Sequence, residues 1–199
     1  PFTGASGKSD DLYWNITADG HLTITGEGNY GVTYGQYPAW DAYGEYVLTA
    51  EVNVENITRT DFMFWRRPNL KSVDLSGLDT SRVTTMTHMF YTCSSLENLD
   101  LSHFDTRCVT DMSYMFSYAV AFNQDIGSWD TSSVSYMEAM FYQTLAFNQK
   151  LPFWDTSKVI DMSSMFRDSA MSNSVACWNV ELIALRPDNF RTILNADIE

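Results

Sequence analysis

Apolar and polar residues recur along this chain with one fixed period. Met-Phe pairs repeat with spacings of 26, 25 and 25 residues, and Asp-Thr pairs repeat with the same spacings. The Met-Phe pairs begin at Met89, Met115, Met140 and Met165. The Asp-Thr pairs begin at Asp79, Asp105, Asp130 and Asp155. A constant period of this length is typical of stacked repeat units, each of which buries its apolar face against its neighbours.

A single unit, residues 95–119, predicts a strand, a tight turn and a short helix. Residues 96–101 follow the L-x-x-L-x-L pattern of a short strand in a leucine-rich repeat. Asp105 and Thr106 provide side-chain oxygens that can hold a tight turn. Residues 112–116 place apolar side chains at positions i, i+3 and i+4, which predicts a short helix with one buried face, capped by Thr110 or Asp111.

The two later units are one residue shorter than the two earlier ones. They carry Trp129 and Trp154 where the earlier units carry Leu78 and Phe104. The larger indole ring therefore fills the volume of the missing residue.

Both ends of the chain depart from the repeat pattern. Residues 12–17 and 22–25 alternate as two strands joined by a hairpin at Asp19-Gly20, residues 47–54 resume alternation, and residues 182–194 indicate a closing helix. The sequence predicts an N-terminal β-hairpin cap over 1–55, a leucine-rich repeat solenoid of about four full repeats with degenerate ends over 56–180, and a C-terminal helical cap over 181–199. The predicted fold class is an α/β solenoid, in which the leucine-rich repeats form a short right-handed coil.

Several segments carry a resemblance to a known family. They are LDLSHFDT at 99–106, VTDMSYMF at 109–116 and FNQDIGSWDT at 122–131, preceded by DGHLTITG at 19–26 and PAW at 38–40. Over about residues 10–180 the chain resembles the BspA-like leucine-rich repeat surface proteins, whose short form is also described from mycoplasma lipoproteins. The resemblance implies this fold, surface exposure, adhesion and protein binding, without a shared catalytic residue. The small number of repeats leaves open a fragment of a longer surface protein or a secreted stand-alone module.

The charge of the chain excludes two classes of partner. Twelve Lys and Arg against 25 Asp and Glu give a formal charge of -13, which repels nucleic acid and anionic lipid surfaces. No run of about 18 apolar residues is present, so we expect no membrane insertion. An extracellular or cell-surface location is expected.

Motifs for catalysis or cofactor binding are weak. The three histidines have no metal-ligand spacing, and no serine lies in G-x-S-x-G. The G-x-G-x-x-G at 26–31 predicts a glycine-rich turn, because Gly35 and Pro38 occupy the place of a phosphate-binding helix. The regularly spaced methionines predict a core rather than copper ligands. We therefore expect no enzymatic activity and no cofactor.

The aspartate column and the cysteines leave alternatives open. Stacked carboxylates at Asp105, Asp130 and Asp155 can chelate calcium, but turn capping explains them without a metal. Cys93 lies in a column of small residues and is predicted to be buried. Cys108 lies in a charged, solvent-facing column and is a candidate for an intermolecular disulfide, with a bond to Cys177 as the other possibility.

The outward positions of the predicted helices offer a candidate binding surface. Its members form an aromatic strip: His88, Tyr91, Tyr114, Tyr118, Tyr136 and Tyr142. Tyrosine gives contact area at low entropic cost, so the strip favours a recognition or adhesion module that binds a surface or matrix protein or a glycan. The plain alternative is that tyrosines only decorate a short helix. A rival function is a structural subunit of a filament or surface assembly, formed by solenoid stacking or through Cys108.

Overall fold

The computed structural model describes residues 1–31, 37–179 and 181–183. Residues 184–199, which make up most of the predicted C-terminal helical cap, lie outside the described residues, as does Gly35. The strands are β1 (Ala5–Ser9), β2 (Leu12–Ile16), β3 (His21–Glu27), β4 (Thr49–Glu55), β5 (Ser72–Leu78) and β6 (Asn98–Leu99), and a 3-10 helix spans Ala39–Tyr46. In this part of the chain, no helix has the length and apolar character needed to cross a bilayer.

The described strands form a six-stranded sheet in chain order. β1, β2 and β3 are antiparallel, and the predicted hairpin turns at Gly20, whose φ of 86° suits glycine. β3, β4, β5 and β6 pair in parallel, so the sheet continues through the boundary predicted at residue 55. β1 was not predicted, because its sequence ASGKS is short and polar.

The repeat units lie against one another in register. Beyond the sheet, isolated parallel bridges link one residue of each unit to the next: Arg59, Thr85, Asp111, Tyr136 and Asp161. In the core, Phe64 and the phenylalanines of the four Met-Phe pairs stack with ring centroids 5.5 to 5.8 Å apart and planes within 7°. The predicted repeat organisation and its Met and Phe core are confirmed. The described units are rich in β structure, whereas an α/β fold was expected.

The predicted helix at 112–116 is wrong, and consecutive turns take its place. The N–H groups of Met115 and Ser117 close turns onto residues three positions earlier. The N–H groups of Tyr114 and Phe116 instead donate to carbonyls of the next unit at 2.8 and 3.0 Å. The apolar face is still buried, because turns at this spacing place the same side chains inside. Among the described residues the 3-10 helix is the only helix.

The Asp-Thr pairs hold each turn and link it to the next unit. The Oδ1 atom of Asp130 accepts the N–H of Ser132 at 2.9 Å. The hydroxyl of Thr131 is buried and donates to the carbonyl of Asp155 in the next unit at 2.9 Å. One dipeptide thus provides a local bond and an inter-unit bond in every repeat.

The tryptophans of the shorter units are buried, as predicted. Trp129 and Trp154 are each 3% exposed. The Nε1 group of Trp154 also donates to the carbonyl of Ile126 at 3.0 Å, a bond that the volume argument did not predict. The indole therefore satisfies a backbone acceptor of the preceding unit as well as filling space.

The N-terminal segment is bonded to the first repeat unit. Arg67 is 1% exposed, and its Nη1 donates to Asp41 at 2.9 Å and to the carbonyl of Trp65 at 2.6 Å. The Nε1 group of Trp40 donates to the carbonyl of Met63 at 2.8 Å. The later units carry small residues at the position equivalent to Arg67. The arginine therefore occurs only where the N-terminal segment meets the first repeat unit.

Candidate functional site

The consecutive turns place two residues of each unit in the left-handed region of backbone space. The first column is Phe62, His88, Tyr114, Ala139 and Ser164, with φ between 48° and 61°. The second column is Arg66, Thr92, Tyr118, Gln143 and Asp168, with φ between 53° and 60°. Non-glycine residues rarely adopt this conformation. Its recurrence aligns the side chains of each column in a row along the stacked units.

The first row is a stack of three rings. Phe62 and His88 have centroids 4.8 Å apart with planes at 16°. His88 and Tyr114 have centroids 4.7 Å apart with planes at 11°. All three side chains are partly exposed. These separations suit offset stacking of aromatic rings.

The second row of rings lies one residue before the second column, at Trp65, Tyr91 and Tyr142, and also includes Tyr118 of the column itself. It begins with parallel stacking and continues with edge contacts. Trp65 lies between Tyr37 and Tyr91, at 5.2 and 4.5 Å, with planes within 15°. Tyr118 contacts Tyr91 edge-on at 5.6 Å and Tyr142 edge-on at 5.2 Å. Tyr118 thereby bridges the place where the third unit carries a serine in the column of Tyr91 and Tyr142.

The two rows meet and form one surface. Phe62 lies 5.4 Å from Trp65, and His88 lies 5.4 Å from Tyr91, measured between ring centroids. We call this surface the aromatic ridge; its members are Tyr37, Phe62, Trp65, His88, Tyr91, Tyr114, Tyr118 and Tyr142. Its rings are ordered by one another before any partner arrives.

The structure brings together most of the predicted strip. Tyr136 lies apart from it, in the column of bridging residues, and its side chain is 43% exposed. Phe62 and Trp65 were missed, although each stands 26 residues before a predicted member and so shares its column. Tyr37 has no repeat signal, and only the fold places it against Trp65.

The histidine of the ridge is neutral at neutral pH, and a carboxylate lies beside the ridge. Burial lowers the pKa of His88 to about 4, so its imidazole is neutral. Its Nδ1 is buried without a hydrogen-bond partner in the described part of the chain. The hydroxyl of Tyr114 donates to the carboxylate of Glu138, and burial together with this bond raises the pKa of Tyr114. The surface therefore combines apolar rings with a few polar edges.

The calcium candidates serve as turn caps. Asp105 accepts the N–H of Arg107 at 3.2 Å and pairs with its guanidinium at 2.6 Å. Asp130 and Asp155 accept N–H groups two residues ahead, and hydrogen bonds from serines lower the pKa of both. Within residues 1–31, 37–179 and 181–183, no group of three or more His, Cys, Asp or Glu is placed to hold a metal ion.

The cysteines differ in exposure. Cys93 is buried, its thiol donates to the carbonyl of Phe64 at 3.1 Å, and burial raises its pKa to about 12. Cys108 and Cys177 are exposed, and all three thiols are free. The predicted burial of Cys93 and exposure of Cys108 are confirmed.

The repeat region matches a described protein family. The family described as Mycoplasma protein of unknown function, DUF285, matches residues 46–151 and again residues 88–195. These matches together cover more than half of the chain. The chain belongs to this family. Membership in the DUF285 family agrees with the expected repeat protein, although it does not specify the BspA-like repeat type. No curated protein is significantly similar to the chain.

A solved structure shares the fold. It is a leucine-rich cell surface protein from Faecalibacterium prausnitzii A2-165, with a TM-score of 0.52 and 16% sequence identity. The similarity covers 96% of this chain and 53% of that protein, so this DUF285 chain spans about half the length of its structural neighbour. At this identity the likeness concerns the fold.

Proposed function

We propose that this protein is a non-enzymatic recognition module, located at the cell surface or outside the cell, that binds a surface or matrix protein or a glycan through the aromatic ridge. In this proposal the stacked units form a short right-handed solenoid of the BspA-like type. The observation that carries the proposal is the ridge itself, a continuous set of ring contacts along the stacked units. A surface location is supported by the leucine-rich cell surface protein that shares the fold.

The mechanism is rigid display. The rings of the ridge are already held by stacking, and the turns that carry them are hydrogen-bonded to the neighbouring units. Little side-chain entropy is lost when such a surface meets a partner. Tyrosine and tryptophan are also enriched among the residues that dominate binding energy at interfaces.

Ring orientation favours a protein partner over a glycan. The flat faces of neighbouring rings cover one another in two stacks of the ridge. One stack is Tyr37, Trp65 and Tyr91, and the other is Phe62, His88 and Tyr114. A sugar ring binds aromatic side chains by stacking on an open face, whereas a protein surface can pack against ring edges and bond to tyrosine hydroxyls. The acidic charge of the chain further favours a basic partner.

A paired substitution tests the role of the ridge. The double variant Tyr114→Ala and Tyr142→Ala removes one ring from each row, and we expect at least a tenfold loss of affinity for whichever matrix protein or glycan the wild type binds. The measurement is biolayer interferometry against a panel of immobilised matrix proteins, with a glycan array alongside. Thermal unfolding of each variant checks that the fold is retained.

The matched control removes two exposed tyrosines outside the ridge. Tyr13 and Tyr136 are 59% and 43% exposed, and the double variant Tyr13→Ala and Tyr136→Ala should bind as the wild type does. Unaltered affinity in a well-folded ridge variant would end the proposal.

A structural subunit is the second candidate function. Cys108 is exposed and free, as a residue that cross-links copies of the chain must be. In that case the units assemble end to end or through this thiol.

A further inference from the structure

A groove crosses the outer side of the parallel strands, formed by a different segment of each unit from the one that carries the aromatic ridge. Its volume is about 810 Å³, and it extends from His21, at the start of β3, across β4, β5 and β6 to Gln124 and Asp125 in the following unit. We call it the strand groove. A second depression of about 590 Å³ adjoins it and shares Asp125.

One carboxylate from each of four successive segments lines the strand groove: Glu51, Asp74, Asp100 and Asp125. Of the described residues that line it, only His21 is basic, and its Nδ1 shares a hydrogen bond with Thr49 at 2.8 Å. Neighbouring strands lie about 4.8 Å apart, so these like charges stand close together along the groove. Like charges at this spacing raise the energy of the free protein, and a cationic occupant relieves that cost.

Local hydrogen bonds fix the orientation of these aspartates. The Oδ1 atoms of Asp74, Asp100 and Asp125 each accept the N–H of the residue two positions ahead at 2.9 Å. Hydrogen bonds from serines lower the pKa of Asp74 and Asp100, which keeps both charged at neutral pH. In the described part of the chain, the second oxygen of each aspartate takes part in none of these bonds and remains available to a ligand.

The distribution of the charges distinguishes among ligands. The carboxylates follow one another along the groove rather than converging, and no described group of three is placed to hold a metal ion. No phenylalanine, tyrosine or tryptophan is among the described residues that line the groove, so it lacks the large rings on which sugars stack. Four inter-strand spacings give a length of about 19 Å, which is about six residues of an extended chain.

We propose that the strand groove binds an extended, basic polypeptide segment of a partner protein. Lysine or arginine side chains of the segment pair with successive carboxylates, and its backbone lies along the stacking direction of the units. This site is independent of the aromatic ridge and does not require the proposed function to hold.

Peptide binding tests the proposal with a matched charge control. The probe is a fluorescein-labelled octapeptide of alternating Lys and Ser, followed by fluorescence anisotropy at low and at physiological ionic strength. The double variant Asp74→Asn and Asp100→Asn should weaken binding at least tenfold. Asparagine can still accept the local N–H bond, so the turn is kept. The control, Asp79→Asn and Asp105→Asn, makes the same charge change in the same units outside the groove and should weaken binding no more than twofold.

Each other outcome decides against the strand groove as a basic-peptide site. Equal weakening by both double variants would show attraction to the acidic surface as a whole. Equal affinity for an octapeptide of alternating Gln and Ser would show that charge is not the basis. Displacement of the probe by a neutral oligosaccharide would identify a glycan site. The ridge variant Tyr114→Ala with Tyr142→Ala should keep full peptide affinity, which separates this test from that of the proposed function.

Discussion

At the scale of single residues, buried polar and titratable groups link the repeat units and make the ridge sensitive to acid. The buried hydroxyl of Thr106 bonds to the carbonyl of Asp130, and that of Thr131 bonds to the carbonyl of Asp155, so each unit satisfies an acceptor of the next. His88 is the residue of the ridge stack that titrates in the acid range, and it is held between Phe62 and Tyr114. A proton on its ring would bring a charge into a partly buried apolar stack.

We expect the stability of the protein to fall with acidity through His88. Its pKa is about 4 in the folded chain against 6.5 as the ordinary value. Between these values the unfolded chain binds the proton and the folded chain does not. The contribution of His88 to stability is therefore fully present above pH 6.5 and declines as the pH falls toward 4. The variant His88→Phe keeps a ring in the stack, as Phe62 does in the same column, and removes this titration.

The measurement is the melting temperature from pH 7.5 to pH 4.5. The melting temperature of the wild type should fall further over this range than that of the His88→Phe variant. The aspartates that cap the turns contribute equally to the stability of both proteins. Because their pKa values are lowered, this contribution is lost only at more acidic pH. Identical slopes for the two proteins would contradict the role given to His88.

At the scale of the elements, the chain exchanges helical hydrogen bonds for bonds between units. Each unit has two residues in the left-handed conformation within its consecutive turns. They rotate the backbone so that every second N–H donates to a carbonyl of the next unit, as the N–H groups of Tyr114 and Tyr118 do. The conformation costs about 1–2 kcal/mol per non-glycine residue. Inter-unit bonds and burial of the Met and Phe side chains offset that cost, and the ring rows of the ridge are one result.

Thr92 allows the cost of this conformation to be measured. Its φ is 60°, and a β-branched residue fits there poorly. Thr92→Gly removes the Cβ that opposes the conformation, whereas Thr92→Ala keeps it. We expect the glycine variant to exceed the alanine variant by about 1 kcal/mol in free energy of unfolding, measured in urea. An alanine variant of equal or greater stability would show that the turn is not strained.

At the scale of the whole molecule, one sheet and one core join the N-terminal segment to the repeats. Trp40 and Arg67 fix the 3-10 helix to the first unit, and the core of the described residues continues from Leu12 to Ile183. Such a body presents the aromatic ridge and the strand groove as two separate surfaces. Exposed thiols at Cys108 and Cys177 are the described groups through which copies of the chain can be cross-linked covalently.

The molar mass in solution discriminates between the two proposed functions. A recognition module should remain a monomer of 22.7 kDa in light scattering with and without reductant. A structural subunit should give larger species that reductant dissolves and that Cys108→Ser prevents. Cys177→Ser serves as the control, because it removes the other exposed thiol; if only this variant abolishes the larger species, the role given to Cys108 is wrong.

The sequence by itself determined the period, the buried columns, the burial of Cys93 and the exposure of Cys108, because stacked units repeat their environment at each period. Tertiary structure decided the local conformation of residues 112–116, since apolar side chains at i, i+3 and i+4 are buried equally well by a helix and by consecutive turns. It also brought Tyr37 into the aromatic ridge and left Tyr136 outside. These placements depend on hydrogen bonds between units and on contacts with the N-terminal segment, which spacing along the chain does not encode.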